Sequence, residues 1–396
     1  MRKIRYVVSL CACWCISDNH VTLIPQYLRR NQNLAAIIAN ENVRNLVPYV
    51  AGKPIEEVER ELGISNIIKL ASNESPLGPS PKALEAARKA LDMIRMYPEG
   101  SCFVLRDKLT RHLDVPANTL MFGNGSDDLI HNLGLAFLQS GDEVITGAPT
   151  FVQYRAAAIL NGTKYIEVPL KNHAYDLDAL GDALTDRTRI VFIANPNNPT
   201  GTANSAQEIE RLLDRVSERT IVVLDEAYYE YVERPDYPQS IRWVLDGRNV
   251  VVLRTFSKIY ALAGLRVGYG IADPEIASVI DQVREPFNVN TIAQYAAAAS
   301  IDDPDQVKRN RELNQAGKLR FYKEFERLGL EYVPSEANFV YVDLGRDAAE
   351  VGQALLRKGV IIRTGKLMGS PTCARVTIGT SDENDRFLRA LAEVLC

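Results

Sequence analysis

Lys258 has the side chain best suited to covalent chemistry in this sequence, and its neighbours decide what kind. It follows an apolar, β-branched run, Val250 to Leu253, and a polar turn, Arg254-Thr255-Phe256-Ser257. Ser257 is adjacent, and Arg266 comes after a small-residue segment that includes Gly264. A buried strand leading into such a turn delivers the lysine to a crevice. Partial desolvation and nearby cations there let the amine shed its proton and form a Schiff base with an aldehyde. The neighbouring hydroxyl and guanidinium suit a phosphate. Alone, the same string also fits a strand that ends in a loop with one exposed lysine.

Five other stretches carry residues of matching chemistry. Gly123-Asn124-Gly125-Ser126-Asp127-Asp128 offers glycines that let backbone approach an anion, with Ser126 and Asp127 placed to cap a following helix whose N–H groups face a phosphate. In Asn195-Pro196-Asn197-Asn198-Pro199-Thr200-Gly201, two Asn-Pro steps and a closing glycine force a compact turn. Such a turn fixes asparagine side chains at the carboxyl end of a strand, where open α/β sheets bind ligands. Asp225 ends the apolar run Val222-Val223-Leu224, and a carboxylate there is costly unless a cation or proton meets it. Arg363 and Arg375 each sit in a short apolar strand and can hold a carboxylate or phosphate with a bidentate fork. By itself the glycine loop is explained as well by a simple helix cap, and a cap or an ion pair is the rival reading for Asp225 and for each arginine, whereas a purely structural loop would rarely need the definition of Asn195–Gly201.

The elements that must position these residues alternate. Helices are expected over Leu34–Leu46, Ile55–Leu62, Pro81–Leu91, Phe103–Leu113, Leu129–Leu138, Phe151–Leu160 and Ala206–Val216. Strands are expected over Ile67–Leu70, Thr119–Phe122, Glu143–Thr146, Lys164–Val168, Arg189–Ala194, Ile221–Leu224 and Val250–Leu253. Continuously apolar strands alternating with helices predict an α/β domain with a mainly parallel sheet covered on both faces. A long charged helix, Pro304–Leu328, then leads into a smaller α+β unit. Its strands are Asn338–Asp343, Val360–Arg363 and Arg375–Ile378, and its helices Ala348–Lys358 and Glu383–Leu395. The expected division is an extension over 1–40, an arm over 41–78 shared by the small domain and a dimer, a large domain over 79–300 and a small one over 301–396. The site belongs in the cleft between the domains.

Composition excludes several functions. The 396 residues are 46% hydrophobic and 24% charged, which suits a globular chain with a large core. A net charge of −4 gives no drive toward nucleic acid or an anionic membrane, so partners are expected to be small molecules. Of six cysteines, Cys11, Cys13 and Cys15 crowd the first fifteen residues while Cys102, Cys373 and Cys396 are scattered; with four widely spaced histidines they make neither a disulfide framework nor a zinc site, and a reducing, cytoplasmic setting fits them. Arg2-Lys3-Ile4-Arg5 followed by Tyr6 to Ile16 has the outline of a short export signal without a clean cleavage site; a dispensable extension is the preferred reading.

Side by side, the motifs NPNNPTG, DEAYYEY and TFSKIYALAGLRVGYG, in that order, resemble the pyridoxal-phosphate-dependent aminotransferases of class I/II, which have the aspartate aminotransferase fold (fold type I). Within them VPYVAGKP, KLASNESPLGPSP, MYPEG, VREPFNVN, SEANFVYVDL and GVIIR are similar to the histidinol-phosphate aminotransferase branch. The likeness runs from about Leu46 to the C-terminus. It implies a homodimer in histidine biosynthesis that moves an amino group between histidinol phosphate and 2-oxoglutarate. An aromatic amino acid aminotransferase, a threonine-phosphate decarboxylase of the same fold and a non-catalytic relative stay open as alternatives.

The resemblance also implies roles. Lys258 would hold pyridoxal 5'-phosphate and carry the proton, Asp225 would meet the ring nitrogen, Tyr228 and Asn198 the ring hydroxyl, and Phe151 would stack on the ring. Gly125, Ser126, Asp127, Ser257 and Arg266 would hold the phosphate, with Tyr97 reaching in from the other subunit. Arg375 would take the donor's carboxylate, while Arg363, Tyr49 and Asn338 would attend to the phosphorylated substrate. Two positions depart from the family's habit: Phe151 stands where tyrosine is common, and Cys102 where a small residue is commoner.

Overall fold

The computed structural model describes residues 40–44, 46–48, 52–365 and 369–396. The export-like stretch and Tyr49 lie outside the described residues, as does the expected Leu34–Leu46 helix apart from a helical turn at Glu41–Arg44.

Among the described residues twelve strands form two sheets: β1 (Ile68–Leu70), β2 (Leu120–Gly123), β3 (Glu143–Ala148), β4 (Lys164–Pro169), β5 (Thr188–Ala194), β6 (Ile221–Asp225), β7 (Val250–Thr255), β8 (Gly268–Ile271), β9 (Tyr332–Val333), β10 (Phe339–Asp343), β11 (Val360–Thr364) and β12 (Cys373–Thr377). The large sheet has the order β2-β8-β7-β6-β5-β3-β4. Its pairs from β7 through β4 are parallel, while β8 runs antiparallel to both β7 and β2. The strands β5, β6 and β7 are buried almost throughout. Runs such as Ile221–Leu224 therefore need no polar alternation, because helices cover both faces.

The small sheet has the order β1-β11-β12-β10-β9. The strand β1, from far upstream, pairs parallel with β11, so the segment before the large sheet completes the small one. Beneath it Phe321, Phe325 and Phe387 form a fully buried aromatic cluster, contributed by the helices Pro304–Leu328 and Ser381–Leu395.

Some elements differ from expectation. The strand β8 was not anticipated, because Gly268-Tyr269-Gly270 lacks the β-branched signature of a strand. The helix Thr291–Ile301 was missed for another reason: it buries Ala293, Gln294, Ala296, Ala297, Ala298 and Ser300, so no polar face marks its period. The helix expected from Leu129 begins at Ser126. Its N-cap is Gly125, at φ 84°, and neither Ser126 nor Asp127 caps it by a side chain. Asp128 does the local bonding instead, accepting from the Asn124 N–H at 2.8 Å.

Candidate active site

Three adjacent parallel strands end at one edge of the large sheet. Ala194 of β5 stands beside Asp225 of β6, which stands beside Leu253 of β7. The chain leaving these ends carries Asn198, Asp225 and Lys258, so residues far apart in sequence meet where a parallel sheet binds ligands. They line a cavity of about 320 Å³ together with Ser126, Asp127, Phe151, Tyr228, Ser257, Arg266 and Arg375. That volume admits a substituted aromatic ring with a phosphate arm.

Lys258 Nζ donates to the Ser72 carbonyl at 3.3 Å and lies 5.7 Å from the centre of the Tyr228 ring. Burial, and then the Arg375 guanidinium, pull its amine down to about 8, against the opposing pull of Asp127 and Glu74. Asp225 faces it from the floor. Its Oδ2 accepts from the Tyr154 hydroxyl at 2.7 Å and its Oδ1 from the Ala227 N–H at 3.2 Å. Burial lifts its carboxyl to about 6, with Tyr154 opposing the rise and Asp127 adding to it. Among the described residues no lysine, arginine or histidine nitrogen forms an ion pair with this carboxylate.

The anion cradle sits at the start of the helix Ser126–Phe137. A Cβ on Gly125 would stand 2.5 Å from Arg266 Nη2, and one on Gly268 would stand 2.4 Å from the Ser126 nitrogen. Position 268 therefore requires glycine for close backbone approach, and Gly125 is required for its positive φ of 84°. Arg266, itself in left-handed backbone at φ 57°, points Nη1 at Ser257 Oγ (3.4 Å) and Nη2 at Asp127 Oδ2 (3.6 Å). Helix N–H groups, a hydroxyl and a guanidinium thus converge on one point, which is chemistry for a phosphate.

On the opposite wall, Arg375 gives Nη1 to Asn198 Oδ1 at 2.5 Å and Nη2 to the Ala71 carbonyl at 2.7 Å. Arg363 is its direct cross-strand partner in the β11–β12 pair, so the two side chains leave the same face of the small sheet. Arg363 does not line this cavity, and neither does Asn338. Asn338 lies behind the wall, donating Nδ2 to the Asn73 carbonyl at 3.1 Å. Tyr97 is outside it too: 82% exposed, its ring stacks on Phe287 at 4.9 Å. Cys102 is buried against the core as an N-cap in left-handed backbone, and burial pushes its thiol up to about 12.

Two residues of the site were not singled out in the sequence. Asn73 donates Nδ2 to the Tyr228 hydroxyl at 2.9 Å and accepts from Thr377 Oγ1 at 3.0 Å, bridging the two sheets. Its sequence signals were the polar loop that holds it, Asn73-Glu74-Ser75-Pro76, and the KLASNESPLGPSP resemblance around it. Tyr154, beneath Asp225, had none.

Comparison with known proteins agrees with this construction. Residues 65–391 match the family model for aminotransferase class I and II. A histidinol-phosphate aminotransferase of Moorella thermoacetica is 51% identical over 356 residues, which cover 90% of this chain and 92% of that protein. One from Geobacillus thermodenitrificans is 46% identical over 355 residues, covering 90% and 97%. The crystal structure of histidinol-phosphate aminotransferase from Sinorhizobium meliloti in complex with pyridoxal-5'-phosphate superposes with a TM-score of 0.84 at 30% identity, covering 91% of this chain and 98% of that one. With this site and these relatives, the chain belongs to the class I and II aminotransferases.

Proposed function

We propose that the protein transfers an amino group between histidinol phosphate and 2-oxoglutarate, using pyridoxal phosphate, as a step of histidine biosynthesis. What carries the reading is one cavity that joins a deprotonable lysine, a buried acid, an anion cradle and a carboxylate-binding arginine, in a chain half identical to a histidinol-phosphate aminotransferase.

The residues fit that cofactor. Asp225 is a buried carboxylate met by one hydroxyl and one amide, and a protonated ring nitrogen would supply the missing positive partner. Gly268 lets β8 pack against the Ser126 nitrogen, and Gly125 lies against the Arg266 guanidinium, so the helix start and the guanidinium stand together as a phosphate site requires. When bound, pyridoxal phosphate supplies an aldehyde that takes up amines and a ring that accepts the electron pair released at the donor's carbon.

The chain's own residues do the rest. With the cofactor bound, Lys258 Nζ would hold it between turnovers and would carry the proton to and from the donor's carbon. Asp225 would keep the ring nitrogen protonated. Tyr228 and Asn198 would meet the ring hydroxyl, Phe151 would cover a ring face, and Gly125, Ser126, Asp127, Ser257 and Arg266 would grip the phosphate. Phenylalanine at 151 keeps the apolar face without a hydroxyl. Arg375 takes the carboxylate of glutamate. Histidinol phosphate has no carboxylate but carries a phosphate, and a guanidinium serves either anion; Arg363, with Tyr49 and Asn338, would favour the phosphate.

We assign residues 79–300 to the cofactor-holding domain, and 301–396 with the arm 41–78 to the small one. The exposed apolar group around Tyr97, with Ile94, Met96, Phe103 and Phe287, supports a homodimer in which Tyr97 serves the other copy's phosphate. No described helix is long and apolar enough to cross a membrane. The free thiols of Cys102, Cys373 and Cys396 suit a reducing cytoplasm.

A donor panel tests the reading. Histidinol phosphate with 2-oxoglutarate should yield glutamate faster than phenylalanine, tyrosine or aspartate does. Turnover with phenylalanine alone would assign an aromatic aminotransferase, and release of carbon dioxide a decarboxylase.

A further inference from the structure

Tyr154 lies in the helix Gln153–Leu160, with no accessible surface, and its ring stacks on Phe192 at 4.7 Å and 4°. It also meets Phe151, the residue at the cavity wall, edge-on at 5.7 Å. Phenylalanine would fill this apolar slot equally well, and a buried hydroxyl costs free energy unless it is bonded. Among the described residues its hydroxyl donates to Asp225 Oδ2, at 2.7 Å.

Asp225 needs such a donor, because the groups around it otherwise push toward its neutral form. Asp127 approaches from the start of the helix Ser126–Phe137 and Glu226 from the next residue of the chain, and both are acidic. Glu226 is tied to Arg254 at 2.8 Å and Asp127 to Arg266 at 3.6 Å, so the neighbouring cations are already engaged. The hydroxyls of Tyr175 and Tyr228 are buried beside it and remain protonated. Among the described residues, the Tyr154 hydroxyl and the Ala227 amide are the groups that favour the anion by direct hydrogen bonds.

We propose that Tyr154 is a positioning residue for the transfer: its hydroxyl holds Asp225 as an oriented anion, so that the proton shared with the cofactor's ring nitrogen stays on the nitrogen. This rests on the reading of the site as a pyridoxal phosphate site. A carboxylate that already accepts a strong hydrogen bond is a weaker base toward a second proton. Without the hydroxyl, the shared proton moves toward Asp225 and the ring becomes a poorer electron acceptor. Donor binding, which falls to Arg375 and the small sheet, is left nearly unchanged.

The test uses the full chain loaded with pyridoxal phosphate carrying nitrogen-15 in the ring. Its resonance reports directly whether the nitrogen is protonated. In the wild type it should stand at the protonated position at neutral pH, and in Tyr154→Phe it should move toward the unprotonated one. The kcat should fall by about tenfold to a hundredfold while KM for the donor changes less than about threefold. Difluorotyrosine at position 154 keeps the shape and strengthens the donor, so it should leave the resonance at or beyond the wild-type position. If Tyr154→Phe folds poorly, 4-aminophenylalanine at position 154, which keeps the ring but donates more weakly, should move the resonance toward the unprotonated position. A resonance unmoved in the variant that removes or weakens the donor overturns the role of Tyr154 and leaves the cofactor assignment standing. A wild-type chain that takes up no pyridoxal phosphate overturns the assignment, and this role with it.

Discussion

Lys258 shows how far one side chain's surroundings set its chemistry. An ordinary lysine near 10.5 has about one amine in three thousand unprotonated at neutral pH, whereas one near 8 has about one in ten. Only the neutral amine attacks an aldehyde. Uptake of pyridoxal phosphate by the cofactor-free chain should therefore speed up as pH rises to about 8 and then level off, as followed by stopped-flow absorbance. A rate that keeps climbing through the ordinary lysine range would show that the amine is not depressed. The same shift bears on stability: between about 8 and 10.5 the unfolded chain holds this proton and the folded chain does not. Its contribution to stability thus rises with pH across that window and is unfavourable below it. Lys258→Ala should abolish both turnover and the borohydride-trappable chromophore. The sequence already pointed at this lysine, because a strand, a turn and a lysine are contiguous. It could not point at Tyr154, since a tyrosine that only packs and one that bonds an acid on another strand look alike in Val152-Gln153-Tyr154-Arg155.

Among the elements, β8 is the one whose sequence reads least like its structure and whose packing matters most to the cradle. Its first residue, Gly268, presses against the Ser126 nitrogen, and no Cβ fits at 2.4 Å. Gly268→Ala should force the strand away from the start of the helix Ser126–Phe137. The expected result is a loss of about 1–3 kcal/mol of stability and weaker pyridoxal phosphate binding, measured by thermal melting and by cofactor titration. Gly264, in the same motif, has open space around it, and Gly264→Ala should change neither. Equal effects at both sites would place the sensitivity in the loop rather than in the close contact. The parallel strands β5, β6 and β7 were legible from their continuous apolar runs. The strand β8 was not, because the glycines that permit close approach also erase its periodicity.

At the scale of the whole molecule, the cavity depends on the small sheet standing against the large one. Asn73 leaves β1 and reaches both Tyr228 and Thr377, and Arg375 reaches back from β12 to Asn198. Arg363 stands beside Arg375 on the same sheet face but outside the cavity lining. Under the proposed function, Arg363 would act at the outer end of the substrate. We expect Arg363→Ala to lower kcat/KM for histidinol phosphate by about tenfold or more while glutamate loses less, because a bidentate phosphate contact is worth more than a distant charge. Equal losses for both donors would show that Arg363 does not select the phosphate.

Residues contiguous with a turn or a strand end were determined by the sequence itself: Lys258 with Ser257, the Asn195–Gly201 turn, Asp225, and the glycine loop before Ser126. Their chemistry is local, written in residue type and in the hydrophobic run that precedes each one. The tertiary structure alone decided which groups share a space. It joined β1 to β11, set Arg363 opposite Arg375, placed Asn73 against Tyr228, seated Tyr154 beneath Asp225 and left Tyr97 on the surface. These pairings come from sheet register and close packing between segments distant in the chain, and no local pattern of residues encodes them.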